Sequence, residues 1–138
     1  MKPNRIHSLL HHMLLAAVCG LGTVTASAQV GPTPAEAARY SGLHAAAHKG
    51  DAAQITRLAA AKADLNARDG NGRTPLHVAT FARQREAIRA LVKAGAEINL
   101  LENDRYDGVT IASVADDEET LRVLLSLGAS AKQVTSRY

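Results

Sequence analysis

The sequence predicts an all-α solenoid of about three stacked helix-turn-helix units, and three observations predict it. The chain aligns with itself at one constant shift of 33 residues, placing Leu43-His44-Ala45-Ala46 over Leu76-His77-Val78-Ala79 and then over Val109-Thr110-Ile111-Ala112. A second block repeats at the same shift: Ala63-Asp64-Leu65-Asn66 lies over Ala96-Glu97-Ile98-Asn99, and Gly95-Ala96 over Gly128-Ala129. Between the blocks, apolar residues recur at helical spacing. A period of this length is the mark of an array whose units bury their apolar faces only against their neighbours.

Ahead of the repeats, residues 1–28 have the three parts of a secretory signal. Lys2 and Arg5 stand in a start without acids, Met13 to Ala26 is apolar, and Ala26-Ser27-Ala28 closes the segment with small residues. The apolar part is too short for a permanent transmembrane helix, so the sequence predicts cleavage after Ala28, export to the periplasm or beyond, and no stable membrane anchor. Acylation of Cys19 fits poorly, because Val18 stands where a lipobox has a small residue. Cleavage also removes the sole cysteine, leaving packing rather than disulfides to stabilise the mature chain. In residues 29–40, a linker leads into Thr33-Pro34-Ala35-Glu36, whose capping-box spacing opens a short helix ending near Tyr40. That helix is expected to act as a partial N-terminal cap.

The units are expected at 41–66, 69–99 and 102–131. The middle one is the most regular. Asp69-Gly70-Asn71-Gly72 is turn chemistry, Thr74 supplies an N-cap hydroxyl, and Pro75 stands at the first helical position, where a missing N–H costs nothing. Leu76, Val78, Ala79 and Phe81 make the first helix apolar on most sides. The second helix runs from about Gln84 to Ala94, with Ala87, Ile88, Leu91 and Val92 on one face and Arg85, Glu86, Arg89 and Lys93 on the other. Gly95 ends it by adopting a left-handed conformation.

Asp69 to Ala79, with the core Thr74-Pro75-Leu76-His77, and Leu91 to Asn99, with its Gly95-Ala96-Glu97-Ile98-Asn99 ending, resemble the ankyrin repeat. The resemblance covers roughly Ser41 to Ala131 and implies an L-shaped array. It also implies that His44 and His77 serve in hydrogen bonds joining one repeat to the next. There are departures: in the two later units Arg83 and Asp116 replace the glycine that Gly50 supplies between helices, in the first unit Lys62 replaces the glycine after the second helix, and in the third Asp107-Gly108-Val109-Thr110 replaces the Thr-Pro-Leu-His core.

At the far end, Leu121, Val123, Leu124, Leu125 and Leu127 follow the acidic opening Asp116-Asp117-Glu118-Glu119, which suits a helix N-terminus. The period leaves Leu121, Leu124 and Leu125 with no following unit, so self-association through this uncapped end is expected. Residues 132–138 form a tail or the start of a missing repeat, since Ser136-Arg137-Tyr138 is similar to Asp104-Arg105-Tyr106.

Composition narrows the function. The chain carries +3 at pH 7, and removal of Lys2 and Arg5 leaves 14 basic against 13 acidic residues. With few aromatics and none in a basic stripe, nucleic-acid binding is unsupported. Basic residues dominate from Gln29 to Leu100 and acidic ones from Leu101 onward, a dipolar arrangement that suits steering or head-to-tail contact. No nucleotide, phosphate or cofactor motif is present. His44 and His48 share a helix face four residues apart, but a metal site needs a third ligand that the sequence does not offer.

The resemblance implies a non-catalytic interaction module that holds another protein on its concave face, here as an exported adaptor or modulator. The period then selects the candidate contact residues: Tyr40, Arg73 and Tyr106 just before each first helix, and His48, Phe81 and Val114 at its exposed end. Tyrosine and arginine are hot-spot residues, and an apolar Phe81 fits either a partner or a neighbouring unit. The alternatives are an incomplete fragment of a longer array and a histidine-dependent metal enzyme.

Overall fold

The computed structural model describes residues 30–131. The leader with its cleavage point and Cys19, and the tail 132–138, lie outside the described residues. Among the described residues there are seven helices and no strand: α1 (Pro34–Ala38), α2 (Gly42–Lys49), α3 (Ala52–Ala60), α4 (Pro75–Phe81), α5 (Arg85–Ala94), α6 (Gly108–Val114) and α7 (Glu118–Ser126). The first helices α2, α4 and α6 stack on one another in one layer, and the second helices α3, α5 and α7 stack in another. Each pair is joined across the layers, and Leu43, Ala47, Ile55, Leu76, Val78, Ile88, Leu91 and Leu124 form one continuous core between them.

Local chemistry sets the helix ends. At α4 the Thr74 hydroxyl accepts the His77 N–H, while the Thr74 N–H donates to His77 Nδ1 at 2.9 Å, a capping box with histidine in the usual glutamate position. Because Nδ1 accepts, the ring proton sits on Nε2, which donates to the Leu100 carbonyl at 2.7 Å. Burial then holds the ring neutral by pushing its pKa down. His77 thus ties the middle unit to the loop opening the third. His44 likewise reaches the Arg73 carbonyl at 2.8 Å. Without a capping bond from Ser41, it meets a different point of the next loop. Asn66 and Asn99, one period apart, repeat a second tie by accepting the backbone N–H groups of Glu97 and Ser130.

The turn between the two helices of each unit is left-handed whatever residue occupies it. Gly50, Arg83 and Asp116 have φ of 76°, 58° and 52°. Stacking over-determines the turn, so Arg83 carries the strain a glycine would avoid and uses its position to approach Asp117 at 3.8 Å. Arg85 pairs with Glu119 at 2.9 Å, so the basic middle unit is also clamped to the acidic opening of α7.

One expectation needs correction. Leu124 is not left bare at the open end, because α7 turns it inward to full burial against Gly108 and Leu76. The exposed member is Leu125, at 43 %. The column Ile55, Ile88 and Leu121 shows the cause: the first two are fully buried beneath the following unit, whereas Leu121 is only half-buried because no described unit follows it. The short helix α1 opens on the expected Thr33 capping box, buries none of its own residues fully, and makes contacts that reach past the first unit to the second.

Candidate partner-binding surface

The six candidate contact residues do not form two free columns. One of them, Tyr40, ends the segment 31–40, and three more, His48, Arg73 and Phe81, are engaged by that segment.

Glu36 has a double function. Its Oε2 accepts the Thr33 N–H at 2.8 Å, completing the capping box of α1, and lies 3.2 Å from Arg73 Nη2. Its Oε1 accepts a hydrogen bond from Asn71 Nδ2 at 2.9 Å. Behind it, Asp69 Oδ2 accepts from Arg73 Nε at 2.8 Å and from the Tyr40 hydroxyl at 2.6 Å. Asp69 Oδ1 accepts the backbone N–H groups of Asn71 and Arg73, which closes the turn 69–73 on itself. The result is a five-residue polar clasp joining the N-terminal segment to the finger-like turn of the middle unit.

Electrostatics agree with the geometry. Burial by itself would raise the Asp69 carboxyl, but hydrogen bonds from Tyr40, Arg73 and the backbone outweigh it and hold the pKa at about 2. Burial and the bond to Asp69 push the Tyr40 phenol far above its ordinary range. The Glu36 carboxyl is lowered by the Thr33 N–H, then by Arg73 and Asn71. Burial would weaken the Arg73 charge, and its two carboxylate partners reverse that.

Arg73 is 4 % exposed, with Nε and Nη2 of its guanidinium paired to Asp69 and Glu36. It is not an open contact residue as the period suggested; a buried guanidinium needs paired carboxylates, and Asp69 and Glu36 supply them. Tyr40 lays its ring on α2, with centroids 5.3 Å from His44 and 6.3 Å from His48. That contact engages His48 as well as His44. Phe81 is half-buried beneath the chain just before α1: a side chain added at Gly31 would come within 3.0 Å of its ring. Of the six, Tyr106 and Val114 stand outside this segment. Tyr106 is half-buried and Val114 is 57 % exposed.

The structural motif residues are placed differently. Thr74, Pro75, Leu76 and His77 are buried and hold the unit together, and Gly95 closes α5 at φ 110°. Sequence reasoning missed Glu36, Asp69 and Asn71 as members of one cluster. Their only signals were a capping box and a turn, and nothing in the period brings residues 36 and 71 together.

Comparison with known proteins gives one consistent result. The family model described as ankyrin repeats, in three copies, matches residues 13–102 and 43–135. Among solved structures, the crystal structure of the human ASB11 ankyrin repeat domain superposes with a TM-score of 0.60 at 27 % identity, covering 67 % of this chain. The chain spans 42 % of that structure's length. No curated protein matches the sequence.

Proposed function

Because the chain belongs to the ankyrin repeat family, whose repeats generally mediate protein–protein interaction, we propose that it is a non-catalytic module that binds a partner protein on its first-helix and finger face. The observation that carries this reading is the contrast between the two layers. The second helices present charged residues such as Arg57, Arg89, Lys93 and Arg122 to solvent, a solvated outer face. The first-helix ends present Phe81 and Val114, and the finger presents Tyr106, none of them fully used by the stack. Apolar and aromatic side chains retained at periodic positions outside the core suit a protein contact better than water.

Export belongs to the same proposal. The charged start, apolar middle and Ala26-Ser27-Ala28 ending support an adaptor or modulator that works in the periplasm or outside the cell. N-terminal sequencing of the protein from a fractionated expression host should begin at Gln29, and an intact Met1 would sink that part. Binding is tested by photo-crosslinking in the native host with benzoylphenylalanine at Val114 or Tyr106, and at Arg89 on the outer layer as the control. Adducts at the first two positions and none at Arg89 are expected. Equal labelling at all three, or at Arg89 alone, would overturn the assignment of the face.

A further inference from the structure

The face proposed to bind a partner is already occupied by the chain itself. Residues 31–40 run beside the first helices α2 and α4, from Gly31 at the Phe81 ring, through Glu36 at Arg73 and Asn71, to Tyr40 on Asp69, His44 and His48. This segment engages both apolar and charged members of the candidate surface.

It is held as a ligand is held, not as core. The helix α1 has five residues and buries none of them, although Ala35, Ala37 and Ala38 would suit burial. Among the described residues, its hydrogen bonds and ion pairs to the repeats forward of Tyr40 are those of one carboxylate on a guanidinium and an amide, and Gly31 lies against the Phe81 ring. A part-exposed ion pair of this type contributes little to stability. A segment with few buried apolar contacts opens at far lower free energy than the stack it lies on. Beneath it, the turn 69–73 keeps its own bonds without it: Asp69 pairs with Arg73 at 2.8 Å and accepts the backbone N–H groups of Asn71 and Arg73, so release of Glu36 takes from Arg73 one of its two carboxylate partners.

We propose that residues 30–38 are a built-in occupant of the binding face, and that the partner displaces them with the same chemistry. The inference rests on the protein-binding reading above. The partner presents a segment with a small residue against Phe81 and, five residues further on, within a short helix, a carboxylate against Arg73 Nη2 and Asn71 Nδ2. Opening and partner binding are then linked, because the apparent affinity is the intrinsic affinity multiplied by the fraction of molecules whose segment is released.

The test uses the full chain and two variants, Glu36→Arg, which sets like charge against Arg73, and Glu36→Gln. The probe is a fluorescein-labelled synthetic peptide with the sequence of residues 30–38. Amide exchange of residues 34–38 should accelerate at least tenfold in Glu36→Arg while α4 and α5 keep their protection. Peptide anisotropy should then report binding to Glu36→Arg at least tenfold tighter than to the unaltered protein. A peptide carrying Gln at the glutamate should lose that binding, and Glu36→Gln protein should fall between the two. Three results would overturn the inference: unchanged exchange at 34–38, exchange rising together through α2 and α4, which makes the segment part of the stack, or a released segment with no peptide binding. The crosslinking experiment separates the two proposals. If neither protein forms adducts at Val114 or Tyr106, the protein-binding reading fails; if both form them equally with the segment released in one, only the present inference fails.

Discussion

Thr74 carries two separable loads, and substitution can weigh them apart. The residue is 1 % exposed, so its methyl is buried, and its hydroxyl accepts the His77 N–H and contacts His77 Nδ1 at 2.9 Å. Thr74→Ser keeps the oxygen and deletes the methyl, which costs about 1 kcal/mol for one buried carbon. Thr74→Val keeps the volume and deletes the oxygen, which removes the N-cap and should also cost about 1 kcal/mol. Thr74→Ala deletes both, for about 2 kcal/mol if the losses add. In an array of this size each kcal/mol moves Tm by roughly 4 to 8 °C, so the alanine variant should melt about 8 to 16 °C lower. Urea unfolding followed by circular dichroism gives the four free energies. If Thr74→Val equals the unaltered protein while Thr74→Ser does not, the hydroxyl caps nothing and the argument for the start of α4 is wrong. If all three equal it, the position is not buried between units.

Three further outcomes follow from the same structure. Gly95→Val should destabilise by more than 1 kcal/mol in urea titration, because φ is 110° while a Cβ has room, its nearest neighbour being Leu65 at 3.9 Å; the cost is in the backbone, and an unchanged midpoint would refute it. Leu125→Lys should weaken self-association about tenfold or more in sedimentation without loss of helicity, whereas Leu124→Lys should unfold the last unit; a wild-type chain that stays monomeric at high concentration contradicts this. Acid should destabilise in two stages, since the folded pKa values of His77, Glu36 and Asp69 are all depressed, so that each contributes stability above its unfolded value and loses it as pH falls. His77 begins the decline below about 6.5 and the two carboxylates continue it below about 4.5 and 3.8, with Asp69 retaining its charge down to about 2; a urea midpoint flat from pH 7.5 to 5 would mean that His77 is not held neutral.

By itself the sequence determined what is local or periodic. The 33-residue shift assigned the units, Thr33 and Thr74 started their helices, Gly95 ended one, and Ala87, Ile88, Leu91 and Val92 marked the apolar face of the second helix. These signals are readable because a cap or a helix face depends on residues within four positions of one another, and a repeat states its own environment again and again. The tertiary structure decided everything that depends on where a non-repeating segment comes to rest. Arg73 stood in the same column as Tyr40 and Tyr106, yet it is buried because Glu36, 37 residues earlier and in no repeat, returns to pair with it beside Asp69. Periodicity likewise could not say that Leu124 turns inward while Leu125 faces solvent, since adjacent residues near the edge of an apolar stripe differ only by the rotation of the helix against its neighbour. That rotation, and the position of the segment before α2, are set by packing and by ion pairs between distant residues, and these have no period in the chain.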